Sequence, residues 1–472
     1  MKKTEMTVRI TAGILACLMA AGPTSCGGSG LSASTKDLTK QYRGDGGTNG
    51  QMHTGDGGTN EQMHAEDGGT NEQIHTEGGG REDKGSGRET AGVTPEFAAS
   101  YADFSLELLR NSKRQGQTAG SDASNAVVSP LSVLMALEMT RQGARGETRN
   151  EMDTVLYPGI TAEEGKAALL TFSDNLPDEE GARMHLANSV WLNTENDVFT
   201  PDEDFLKTEA EEYDAQIFGA PFTEQTCTDL NRWVEHETDG MITDILDEIP
   251  KDALMYLVNA VAFEADWAAA YEANQVHDAT FYGADGSEAA VSMMYEEMYS
   301  YLSGENVQGF RKPYKDGYSF VALLPDEGIS LEEYLAGLDG ETFMETITQE
   351  NDTMVETGLP KFEVKTKLEL SETLMDMGMP LAFDGDRADF TGMGSCADGY
   401  NMYISRVLHQ TYVRVDELGT KAGAATVVEM CGESAMLMEE EPKRVILDRP
   451  FLYAIVEKES GLPVFIGTVE KL

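Results

Sequence analysis

The stretch that most constrains this chain is Gly419-Thr420-Lys421-Ala422-Gly423-Ala424-Ala425-Thr426-Val427-Val428. It is small and apolar, whereas surface loops are normally polar and rich in turn residues. Its two parities differ. Thr420, Ala422, Ala424, Thr426, Val428 and Met430 are all uncharged, while Lys421 and Glu429 fall on the other parity. Successive side chains of a strand point to opposite faces, so this is the pattern of a strand with one face buried and one wet. Tyr412, Val413 and Val415 before it are strand-like, and Arg449-Pro450-Phe451 leads into another strand-like run. Such a segment needs a sheet that can take it in.

The 472 residues include 83 acidic and 35 basic ones, for a formal net charge of −48. A chain so acidic is repelled by phosphate backbones, which disfavours nucleic-acid binding. At the start, Lys2, Lys3 and Arg9 precede an apolar stretch from Ile10 to Ala21. That is shorter than the about 20 apolar residues of a membrane span and has the form of an export signal. Cys26 follows small residues and precedes Gly-Gly-Ser-Gly, resembling a bacterial lipoprotein attachment cysteine, with Pro23 where that signal usually has Leu. The expectation is a signal peptide over 1–26 and an exported protein. It is then either held at the cell surface by lipid on Cys26 or released outside the cell.

Residues 27–94 are Gly-rich and polar and carry an 11-residue repeat: DGGTNGQMHTG from Asp45, DGGTNEQMHAE from Asp56 and DGGTNEQIHTE from Asp67. Each unit has one His (His53, His64, His75), but the spacing builds no ligand cage, and no metal or cofactor is expected. This composition buries too little apolar area to order itself. The expectation is a flexible linker whose ends stand ~45 Å apart, lifting the domain from a lipid surface.

The folded domain is expected over 95–472. Phe97, Tyr101, Phe104, Leu108 and Leu109 recur at helical spacing. Asn125-Ala126-Val127-Val128-Ser129-Pro130-Leu131-Ser132 reads as a buried strand ending at a Ser-Pro helix start, and that helix ends at Gly143. Ala187 to Trp191 alternates as a strand. Leu257 to Phe263, including Asn259, is a buried strand followed by Trp267. Later come Pro313-Tyr314, Leu359-Pro360-Lys361-Phe362, Ala388-Asp389-Phe390 and a strand-like run ending at His409.

In this order the motifs resemble the serpins, the serine protease inhibitors, from about residue 97 to 469. Glu417-Leu418-Gly419-Thr420-Lys421-Ala422-Gly423-Ala424-Ala425-Thr426 is similar to the serpin reactive-loop hinge, with Lys421 where Glu is usual. Glu264 and Ala265 also depart, standing where Lys-Gly is usual. The resemblance implies an α+β serpin fold of three β-sheets, a helical cluster and an exposed reactive-centre loop. It implies a hinge of Glu417, Gly419, Thr420, Ala422, Gly423, Ala424 and Ala425, with Thr420 near solvent until the loop is cut. It further implies a shutter of Asn125, Ser129, Ser132, Asn259 and His409, and a breach at Trp267. Counting along the hinge places the reactive bond at Glu433–Ser434, which points to a Glu-preferring serine protease as the partner of a monomeric inhibitor.

An enzyme reading fails on motifs. Gly432-Glu433-Ser434-Ala435-Met436 lacks the closing Gly of a nucleophile elbow, no His follows His409, and neither a zinc HExxH nor a P-loop occurs. Cys227, Cys396 and Cys431 are an odd three in the domain, which argues against a disulfide framework. The resemblance leaves two alternatives to serine protease inhibition. One is a non-inhibitory surface binding protein; the other is a cross-class inhibitor of cysteine proteases.

Overall fold

A computed structural model describes residues 30–43, 92–118, 125–179, 181–195, 197–250, 253–350, 352–397, 400–420 and 443–472. Cys26, the repeats, Ala422, Gly423, Ala424, Ala425, Cys431, Glu433 and Ser434 lie outside the described residues.

The large sheet is built from β1 (Lys36–Asp37), β2 (Ala182–Asn193), β3 (Gln216–Ala220), β4 (Met255–Asp266), β5 (Phe362–Glu369), β6 (Leu408–Val415) and β7 (Gly419–Thr420), with Asp178–Glu179 pairing β2. Its order is β1-β3-β2-β4-β7-β6-β5, with β2 and β3 parallel and the other pairs antiparallel. A six-stranded sheet runs Tyr301–Gly304, Val307–Pro313, Tyr318–Pro325, Phe451–Glu457, Pro463–Val469, Ala126–Val128. Tyr318–Pro325, Phe451–Glu457 and Pro463–Val469 are buried at every position, which is why they read as continuous apolar runs instead of alternating ones. A four-stranded sheet (Lys443–Ile446, Met354–Pro360, Glu288–Tyr299, Val276–Tyr282) and a two-stranded ribbon complete the β-structure among the described residues.

The helices that matter here are α1 (Thr39–Tyr42), α2 (Pro95–Thr118), α3 (Pro130–Gly143), α4 (Gly146–Leu156), α5 (Ala162–Asp174), α6 (Glu203–Glu212) and α7 (Glu224–Glu237). The apolar stripe of α2 is buried as its spacing requires, and Tyr101 donates to the Pro463 carbonyl at 2.9 Å. Ser129 caps α3, its hydroxyl accepting from the Ser132 N–H at 3.3 Å with Pro130 at the first helical position. Such a cap contributes about 1 kcal/mol. Between α3, α4 and α6 lies a buried polar knot. Arg141 donates to Glu138 at 2.7 Å, both fully buried, and Tyr157 and Tyr213 also donate to Glu138. Nearby Glu209 is fully buried; burial first, then the charge of Glu138, pushes its carboxyl well above the usual range. Helix α7 packs through Leu230, Trp233 and Val234 onto Trp191 of β2, Phe218 of β3 and Val258 and Ala260 of β4.

The N-terminal region differs from expectation. Residues 30–43 fall within the expected linker, yet they are laid on the domain. Lys36 and Asp37 pair with Gly219 and Phe218 along the edge of β3. Leu31 packs on the apolar cluster under α7, and Leu38 sits where Gly219 leaves room for it. Asp229 of α7 accepts from the Ser32 N–H (3.1 Å), the Ser32 hydroxyl (2.5 Å) and the Thr35 hydroxyl (2.6 Å), and Arg43 pairs with Asp214. The Gly-rich repeats dominate the composition of 27–94 and hide Leu31, Leu38 and Tyr42, which supply the apolar contacts.

Candidate functional site

The strand pattern at 419–428 has its first two residues already in the large sheet. Gly419 and Thr420 form β7, wedged between Asp266 and Ala265 of β4 on one side and Val415 of β6 on the other. Gly419 has φ +153°, and a Cβ there would collide with the Ala265 carbonyl, so only glycine fits this approach. Thr420 is 2% exposed, and its hydroxyl lies 2.6 Å from the Tyr314 hydroxyl. The expectation that Thr420 lies near solvent is therefore corrected. The sheet has a slot there, and a small hydroxyl side chain fills it beside a polar partner.

The turn into β7 hangs from the end of β4. Trp267 donates its backbone N–H to the Leu418 carbonyl and its indole N–H to the Asp416 carbonyl, both at 2.8 Å. Tyr271 N–H donates to the Glu417 carbonyl at 2.9 Å. Trp267 itself is locked by stacking on Tyr314, with ring centroids 4.4 Å apart and planes 5° from parallel. The Glu417 carboxylate meets Lys361 at 2.5 Å, and that hydrogen bond holds its pKa below the usual range. Both partners are about a third exposed, so the pair contributes ~1 kcal/mol or less.

Lower in the same seam, Ser132, Asn259 and His409 line one small cavity of about 80 Å³ between β4 and β6, roofed by Leu230 of α7 and Leu246. His409 Nε2 accepts from the Ser129 N–H at 3.1 Å, which leaves its proton on Nδ1, and Ser129 donates its hydroxyl to the Val464 carbonyl. Burial lowers the His409 pKa to about 4, so the ring is neutral. Asn259 bonds to Asn188 across the β2–β4 pair at 2.8 Å. Asn125 is engaged elsewhere: it binds the backbone of Glu470 and Lys471 at the chain's end. The sequence reading of the shutter thus splits in two, with Ser129, Ser132, Asn259 and His409 around the seam and Asn125 fastening the C-terminus.

Three participants escaped residue-level reading. Tyr314 and Lys361 sit in motifs that read as fold markers, and Asn188 in a plain strand alternation. Their roles depend on contacts with residues far along the chain, and no local pattern encodes those. Cys227 and Cys396 are free thiols whose pKa values burial pushes up. Among the described residues no cluster of His, Cys, Asp and Glu could hold a metal.

A family model described as Serpin (serine protease inhibitor) matches residues 99–472. An uncharacterized serpin-like protein of Thermococcus kodakarensis is 30% identical over 358 residues, covering 74% of this chain and 81% of that protein. The crystal structure of a thermophilic serpin, tengpin, in the native state is similar at 43% identity and TM-score 0.72, covering 80% of this chain and 94% of that one. The same serpin in the latent state is similar at 42% identity and TM-score 0.68, covering 80% and 98%.

Proposed function

The chain belongs to the serpin family, and from that premise we propose that it is a suicide-substrate inhibitor that traps serine proteases by inserting its cut loop into the large sheet. The family is non-catalytic, so this chain is not an enzyme, and its general partner is a serine protease. The observation that carries the reading is β7, a two-residue strand already seated between β4 and β6, followed by small residues at 422–425.

In this mechanism the protease supplies the nucleophile. Its serine attacks the Glu433 carbonyl, the Ser434 nitrogen leaves as an amine, and an acyl-enzyme remains. The freed strand then lengthens β7 downward between β4 and β6, past the seam at His409, while α7 moves aside. The tethered protease is pulled away and its oxyanion hole distorted, so deacylation stalls. The intact form is held by a barrier instead of an equilibrium minimum.

A panel of serine proteases that includes a glutamyl-specific one tests this. The expected outcome is a covalent complex that survives boiling in detergent; cleavage without any such complex across the panel would exclude trapping. We also propose export and acylation of Cys26. A fatty-acid label absent from Cys26→Ser and present in the wild type supports that, and equal labelling refutes it.

A further inference from the structure

The docked segment 30–43 changes what a lipid on Cys26 would do. Four residue steps separate Cys26 from Gly30, a span of at most ~14 Å. From Gly30 on, the chain is fastened to the domain: Arg232 of α7 donates to the Gly30 carbonyl, Asp229 takes Ser32 and Thr35, and β1 pairs with β3. The repeats come after this fastening. They cannot act as a spacer between lipid and domain.

The fastening also has a fixed place along the large sheet. β1 pairs at Gly219 and Phe218, which lie beside Leu192 and Trp191 of β2. The hinge strand β7 pairs at Ala265 and Asp266 of β4, and Ala265 lies opposite Ala182 of β2. Ten residues of β2 separate the two levels, about 33 Å at the rise of a strand. The anchor side and the reactive-loop side are therefore opposite ends of one sheet.

Residues 36–43 hold Lys36, Lys40 and Arg43 against Asp37 alone, and Arg232 lies beside them, in a chain of net charge −48. Lys36 and Lys40 are exposed. On the same flank α7 carries Glu224, Asp229, Glu235 and Glu237 against Arg232, and Arg43 is paired with Asp214, so the orientation rests on the short tether and not on charge.

We propose that the flank formed by residues 30–43, the β3 edge and α7 is the face this protein turns toward a lipid surface, with the reactive-loop end pointing away. This rests on Cys26 being the attachment point, so the test supplies the anchor chemically. A chain starting at residue 26, with its cysteines replaced by serine, is given a synthetic dipalmitoyl lipid at its N-terminus. It is then inserted into phosphatidylglycerol–phosphatidylcholine vesicles that carry a headgroup acceptor dye. A donor dye goes on Thr228→Cys of α7 or on Ala270→Cys beside the hinge, both exposed positions. Energy transfer severalfold stronger from Thr228→Cys, and lost in an Asp229→Ala, Thr35→Ala form, supports the orientation. Equal transfer from the two sites, or stronger transfer from Ala270→Cys, overturns it. Failure of Cys26 to be acylated in cells is read separately by the labelling of Cys26→Ser and leaves this geometry tested.

Discussion

The hydroxyls of Tyr314 and Thr420 lie 2.6 Å apart in a site closed to solvent, joining the turn that follows the strand Val307–Pro313 to the first rung of the hinge across 106 residues of chain. Because that rung is buried before any cleavage, Thr420→Arg places an unpaired cation inside the intact protein. Such a charge costs about 3–5 kcal/mol. The intact form should melt clearly lower than wild type, and covalent complex should give way to simple cleavage. Thr420→Val, which only strands the Tyr314 hydroxyl, should cost about 1–3 kcal/mol. Thermal melts of the two variants check the ranking.

Cleavage by a glutamyl-specific protease should release a peptide that begins at Ser434. N-terminal sequencing that starts at Leu437 or Glu439 would move the reactive bond. With Glu433→Arg, capture should pass to trypsin-like enzymes, since the residue before the cut fills the main specificity pocket.

Cutting the loop should raise the melting temperature, although a broken backbone normally gains freedom in the unfolded state. The parity from Thr420 to Met430 gives a strand that pays for itself only when buried. At about 2.1 cal/mol/K per residue, a domain of about 370 residues gains roughly 1 °C for each kcal/mol. Calorimetry of intact and cleaved forms decides, and a cut form that melts at or below the intact one removes the insertion reading.

Acid should loosen the seam at His409. Its folded pKa of about 4 lies below the ordinary 6.5 because burial disfavours the charged ring. The unfolded chain therefore binds the extra proton between pH 6.5 and 4, so this contribution is complete above pH 6.5 and is lost as pH falls toward 4. The loss reaches about 3 kcal/mol, and protonation also removes the acceptor for the Ser129 N–H. Melts of wild type and His409→Gln at pH 7.5 and 5 test it: the variant should lack this part of the acid sensitivity.

Much of the fold was legible because period and caps are local. The α2 stripe at Phe97, Tyr101, Phe104 and Leu108 is buried as spaced, and Ser129-Pro130 opens α3 where the motif placed it. The hinge parity falls mostly outside the described residues, and the docking of its first two residues was not legible. That depends on the Tyr314 hydroxyl and on the approach of Gly419, which lacks a Cβ, to the Ala265 carbonyl of β4. The docking of residues 30–43 was illegible for a different reason. Its partner, the Asp229 carboxylate, looks from the sequence like one more exposed acid on an amphipathic helix.

The two residues of β7 carry a kinetic consequence. Adding a strand to a sheet has a costly first step, because ordering the backbone precedes any return in hydrogen bonds. Here the first rung exists in the intact molecule, with Trp267 and Tyr271 holding its turn. If the loop inserts as proposed, nucleation is already behind it when a protease arrives. The race against deacylation is then one of elongation alone, and its outcome is set by the residues from 421 onward.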